Sequence, residues 1–170
     1  MRRNRQRVPT YTGRDGASRA DVDALCRAVL AAQRERLTRL EVDVCSDEPW
    51  PDDVEWAVDE LTALTDQQRG RFARRFGWGP SITARLDPRD DRHVELAAAV
   101  ASRTIGSCGL GEDGRPIWSV DDTGTSLWFA LRPAELDAVR AGLVARGVSE
   151  DVVVPFETGR ERRERGARHA

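Results

Sequence analysis

Ile117-Trp118-Ser119-Val120-Asp121-Asp122-Thr123-Gly124-Thr125-Ser126-Leu127-Trp128-Phe129-Ala130-Leu131 is the stretch that decides the fold class. Two runs rich in β-branched and aromatic residues flank Asp121-Asp122-Thr123-Gly124. Its aspartates and glycine supply the side-chain hydrogen bonds and positive φ of a tight turn, so the spacing predicts a β-hairpin. Arg132-Pro133 then opens a helix with Leu136, Val139 and Leu143 on one face, Glu135 and Asp137 at its positive end, and Gly147 as its stop. Val152-Val153-Val154 reads as a third strand. The C-terminal half is therefore β-β-α-β, a small sheet with a helix on one side. Its strands read as buried on both faces, so upstream helices are expected to cover the other side. Gly106 to Gly114, immediately before the hairpin, reads as a loop.

Working outward, the N-terminal half is helical in pattern. Ser18-Arg19-Ala20-Asp21 is a capping box, and Val22, Leu25, Val29, Ala32, Leu37 and Leu40 follow at helical spacing, which predicts one helix over 19–42. Pro49-Trp50-Pro51 breaks the chain before a shorter helix marked by Val54, Val58 and Leu61. Thr65 with Gln68 reads as the next capping box, with Phe72 and Phe76 as an i,i+4 pair and Gly77 as the stop. Asp87-Pro88 begins a fourth helix with a small-residue face of Ala97, Ala98 and Ala101 between Val94 and Ile105. The expected fold is α+β, an N-terminal helical half of about four helices packed on a small C-terminal β-β-α-β sheet unit. Residues 1–17, with five arginines against one aspartate, read as a disordered basic arm. Residues 18–156 read as a single domain and 157–170 as a disordered charged tail.

The 170-residue length suits one domain with a sizeable core. No stretch approaches the roughly 20 apolar residues of a membrane helix, and the basic start is not followed by an apolar signal segment. The reading is a soluble cytoplasmic protein with no membrane partner. Cysteines at 26, 45 and 108 are odd in number and widely spaced, which points away from a disulfide framework and from structural zinc. All 27 basic residues are arginine, a feature that codon bias in a GC-rich genome explains as well as selection does.

Candidate chemistry is sparse. Of two histidines, His169 lies in the tail and His93 sits among Asp90, Asp91 and Glu95, where an ion-paired surface histidine is the simpler reading. No dinucleotide fingerprint, phosphate-binding loop, zinc-protease helix motif or nucleophile elbow occurs, and neither cofactor nor metal is expected. Cys108 in Gly-Ser-Cys-Gly is the candidate nucleophile for an enzyme reading, provided that Arg103 and Arg115 lower its pKa. Asp121 and Asp122 could serve as paired carboxylates, although turn chemistry accounts for them.

Charge distribution carries more. Asp47, Glu48, Asp52, Asp53, Glu55, Asp59 and Glu60 form a run of seven acids without a base, and Trp50 and Trp56 sit among them. Such a segment reads as the contact surface for a basic protein partner, with acids steering and tryptophans anchoring. The leading expectation is accordingly a small non-enzymatic binding protein, regulatory or immunity-like.

Residues 66–87 resemble a helix-turn-helix, with an alanine in a first helix, a glycine four residues later, and a second helix closing on Leu86. The resemblance implies a DNA-binding regulator in which Arg71, Arg74, Arg75, Ser81, Thr83 and Arg85 meet bases or phosphates. The hairpin at 115–131 would then serve as a wing. Nucleic acid is thus the alternative partner.

Overall fold

The computed structural model describes residues 8–43, 49–68 and 83–156. Ser18 opens α1 (Arg19–Gln33) with the expected capping box: its hydroxyl accepts the Asp21 N–H at 3.2 Å, and the Asp21 carboxylate accepts the Ser18 N–H at 3.0 Å. Next, α2 (Asp52–Gln68) starts directly after Pro51, and α3 (Asp91–Val100) is capped by the Asp90 carboxylate. In α4 (Pro133–Val144) the proline occupies the first turn and Glu135 accepts the Arg132 N–H at 2.7 Å. The strands are β1 (Thr10–Gly13), β2 (Arg39–Asp43), β3 (Thr83–Leu86), β4 (Gly106–Leu110), β5 (Pro116–Asp121), β6 (Ser126–Ala130) and β7 (Val153–Pro155). All pair antiparallel in one seven-stranded sheet of order β3-β2-β4-β5-β6-β1-β7.

The class is α+β, as expected, but the sheet is larger than the C-terminal unit read from sequence, and the N-terminal half supplies three of its strands. The expected 19–42 helix stops at Gln33. Leu37 is extended, and Leu40 and Val42 then alternate with Arg39, Glu41 and Asp43. That period of two outweighs the helical spacing which Leu37 and Leu40 also satisfy. Thr10–Gly13, within the stretch read as a basic arm, pairs with β6 and β7. Thr65 and Gln68 do not open a new helix but close α2. The Thr65 hydroxyl donates to the Leu61 carbonyl at 2.7 Å, one turn back. Phe72, Phe76 and Gly77 lie outside the described residues. The expected loop at 106–114 is strand β4 over its first five residues.

Burial alternates along every central strand. Leu40 and Val42, Ala84 and Leu86, Trp118 and Val120, and Leu127 and Phe129 are buried, and the register places them opposite one another on one face. All four helices lie on that face: α1 packs on α3 and α4, and α2 packs on α3 and β3. The expectation of helices on both sides is therefore corrected. Trp118 and Phe129 with Leu25, Leu40, Leu61 and Leu96 centre the core, each such side chain stabilising the fold by about 1.5–3 kcal/mol. On the other face Glu41, Cys108, Ser119 and Trp128 form a cross-strand row that no described helix covers.

The hairpin turn is bound to the chain before β4. The Asp122 N–H donates to the Ile105 carbonyl at 3.2 Å and the Thr123 N–H to the Thr104 carbonyl at 3.0 Å. Gly124 has φ +82°, and a Cβ there would lie 2.7 Å from the Ser102 carbonyl oxygen, so both its conformation and the close approach require glycine.

Candidate functional site

The buried side of α2 is Val54, Ala57, Leu61 and Thr65, spaced by three and four residues. The acids of the same helix divide between two other positions. Asp53 and Glu60 lie on the flank toward α3. There the Arg103 guanidinium is 3.0 Å from Asp53, and Arg92 grips Glu60 through two nitrogens at 2.6–3.1 Å while reaching Glu95 at 2.6 Å. The Arg92 hydrogen bonds hold the Glu60 carboxyl below the usual carboxylate range. Hydrogen bonds from Glu60 and Glu95 in turn raise the pKa of Arg92.

Asp52, Glu55 and Asp59 point outward and are exposed, with no ion pair among the described residues. Trp56 shares this ridge. It is 40% exposed, its indole N–H donates to the Asp53 carbonyl at 3.1 Å, and the Arg92 guanidinium lies 4.5 Å from its ring centroid. Trp50 packs partly against the core, and Asp47 and Glu48 lie outside the described residues. The structure thus gathers five acids and one tryptophan of the expected surface on one helix. It adds Arg92 and Arg103, which the sequence reading missed.

The alternatives fare differently. Where a recognition helix would close on Leu86, Thr83 and Arg85 stand on strand β3, and Arg85 lies 3.8 Å from Glu41. Arg71, Arg74, Arg75 and Ser81 lie outside the described residues. The hairpin proposed as a wing is internal, its strands paired with β4 and β1. Cys108 faces Glu41 at 3.9 Å, and burial together with Glu41 and Asp121 pushes its thiol pKa up, the opposite of nucleophile activation. Neither arginine expected beside it serves it: Arg103 is held by Asp53, and Arg115 pairs with Asp113 in the β4–β5 turn.

Asp121 accepts the Ser119 hydroxyl at 2.9 Å, whereas Asp122 and Thr123 form the turn with φ of 50° and 55°. His93 accepts the Asp87 N–H at Nδ1 over 3.0 Å, which closes the loop before α3. Among the described residues no group of three or more histidine, cysteine, aspartate or glutamate side chains is placed to hold a metal. A cleft of about 490 Å³ lies elsewhere, between Glu35, Arg36, Glu112 and Arg132, and brings none of these candidates together. No helix among the described residues is long and apolar enough to cross a membrane. Comparison with protein families, curated proteins and solved structures found no match.

Proposed function

We propose that the protein is a non-enzymatic binding protein of the cytoplasm, regulatory or immunity-like in role, that docks a basic protein on the outer ridge of α2. The observation that carries this reading is the divided charge of the helix. Arginines from the neighbouring elements neutralise Asp53 and Glu60 and leave Asp52, Glu55 and Asp59 around an exposed indole. Like charges at i,i+3 and i,i+4 cost about 0.2–0.5 kcal/mol per pair. Asp52 and Glu55 recover part of that from the positive end of the helix dipole, but Asp59, two turns in, does not. A basic surface seated on the ridge relieves the repulsion and covers the Trp56 ring. Free Cys26 and Cys108 thiols fit the reducing compartment.

The test is affinity capture from host extract with the wild-type protein and with Asp52→Asn/Glu55→Gln/Asp59→Arg. Neutral changes are used at the first two positions because reversal there would also oppose the helix dipole. The wild type is expected to retain a basic protein in a salt-sensitive manner, and the triple variant to release it at an unchanged thermal midpoint. Capture that survives the substitutions, or a variant that unfolds, overturns the proposal.

A further inference from the structure

Arg85 stands within β3, one of the two outer strands of the sheet. Its N–H donates to Gln68 Oε1 at 2.9 Å, and its carbonyl accepts from Gln68 Nε2 at 2.6 Å. Both backbone groups therefore point away from β2. A single primary amide satisfies donor and acceptor together, making the same two bonds that the opposite residue of an antiparallel strand would make. Gln68 is the last residue of α2, so the helix that packs on β3 also delivers the amide to its edge. The other outer strand, β7, is protected differently: Pro155 has no N–H to offer, and the next N–H, of Phe156, turns inward to the Thr10 carbonyl at 2.9 Å.

The geometry points to Gln68 as a plug on a latent strand-pairing edge, one that joins β3 of a second copy of this chain when the plug is withdrawn. The second copy is the occupant because one outward N–H and one outward carbonyl on the same residue are self-complementary about a two-fold axis. Arg85 of each copy exchanges both bonds with Arg85 of the other. The two guanidinium groups brought together are each accompanied by a Glu41 carboxylate, 3.8 Å from Arg85 within its own chain. This edge is separate from the outer ridge of α2, and its test does not depend on the binding partner.

Gln68→Ala removes the plug. The Arg85 amide is expected to exchange with solvent roughly tenfold faster, in line with the loss of one to two hydrogen bonds. Sedimentation equilibrium is expected to show concentration-dependent dimers where the wild type is monomeric. Gln68→Glu keeps the acceptor and loses the donor, so it is expected to fall between the two, and it decides the matter if the alanine variant does not fold. Gln68→Ala/Arg85→Pro removes the outward N–H without touching the β2 ladder and is expected to restore the monomer. A Gln68→Ala protein that stays monomeric, with or without faster exchange, overturns the proposal. So does a double variant that dimerises as strongly as the single one.

Discussion

Arg36 and Glu135 meet at 2.6 Å with their side chains only 14% and 12% exposed, so this pair sits under different physics from the ion pairs on α2. Burial lowers the pKa of Arg36, and Glu135 opposes that shift. The guanidinium also donates to the Ala130 carbonyl at 2.6 Å, next to the Gln33 amide, which donates to Ala130 and Ile117 at 3.0 and 3.1 Å. The end of α1, the start of α4 and the ends of β5 and β6 are thereby joined through side chains. Removing one buried charge leaves the other without compensation, whereas removing both leaves apolar volume. Glu135→Gln is therefore expected to lower the unfolding free energy by about 3 kcal/mol, and Arg36→Met/Glu135→Leu by less than either single change. Urea denaturation of the four proteins measures the cycle. A loss under about 1 kcal/mol for Glu135→Gln would place the pair with solvated surface bridges and sink this account.

Among the elements, β4 shows what a local reading of sequence cannot reach. Gly106, Ser107, Cys108 and Gly109 are loop formers by propensity, and they become a strand because β2 and β5 hydrogen-bond them from both sides. Gly109 is needed for packing: a Cβ there would lie 2.5 Å from Leu37 Cδ2, 3.3 Å from Leu40 and 3.4 Å from Trp118. Gly109→Ala is expected to cost about 1–3 kcal/mol in thermal or urea unfolding, and Leu37→Val in the same chain to return part of it. If Gly109→Ala is neutral, the strand has room that this packing denies. The capping box at Ser18, the 116–130 hairpin and α4 were legible because their signals lie within a few residues of one another. The acidic run was legible for the same reason. Which of its acids remain unpaired was not, since Arg92 and Arg103 stand 32 and 50 positions from the acids they hold.

For the molecule as a whole, the absence of lysine makes the pH dependence of stability simple to interpret. On the acid side Glu60, held down by Arg92, and Asp21, held down by Ser18, contribute stability that is present above the ordinary carboxylate range and is lost as pH falls through their depressed values. On the alkaline side most proteins titrate many lysines near pH 10, whereas this chain has only its cysteines and one tyrosine there. Cys26 is fully buried in α1, and desolvation pushes its thiol from the ordinary 9.0 up to about 12. Between those values the unfolded chain releases the thiol proton while the folded one keeps it, so the unfolded state binds fewer protons and stability falls as pH rises. The slope from a single thiol is about 1.4 kcal/mol per pH unit. Cys108 shifts in the same direction and adds to it. Urea unfolding from pH 7 to 10.5 is expected to show a steep loss above about pH 9 in the wild type. In Cys26→Ala a shallower loss is expected, even though that variant starts lower by about 1 kcal/mol for the atoms removed. Equal slopes in the two proteins would mean that the buried thiol titrates in the folded state as readily as in the unfolded chain, and α1 would then have to open to solvent before the protein unfolds.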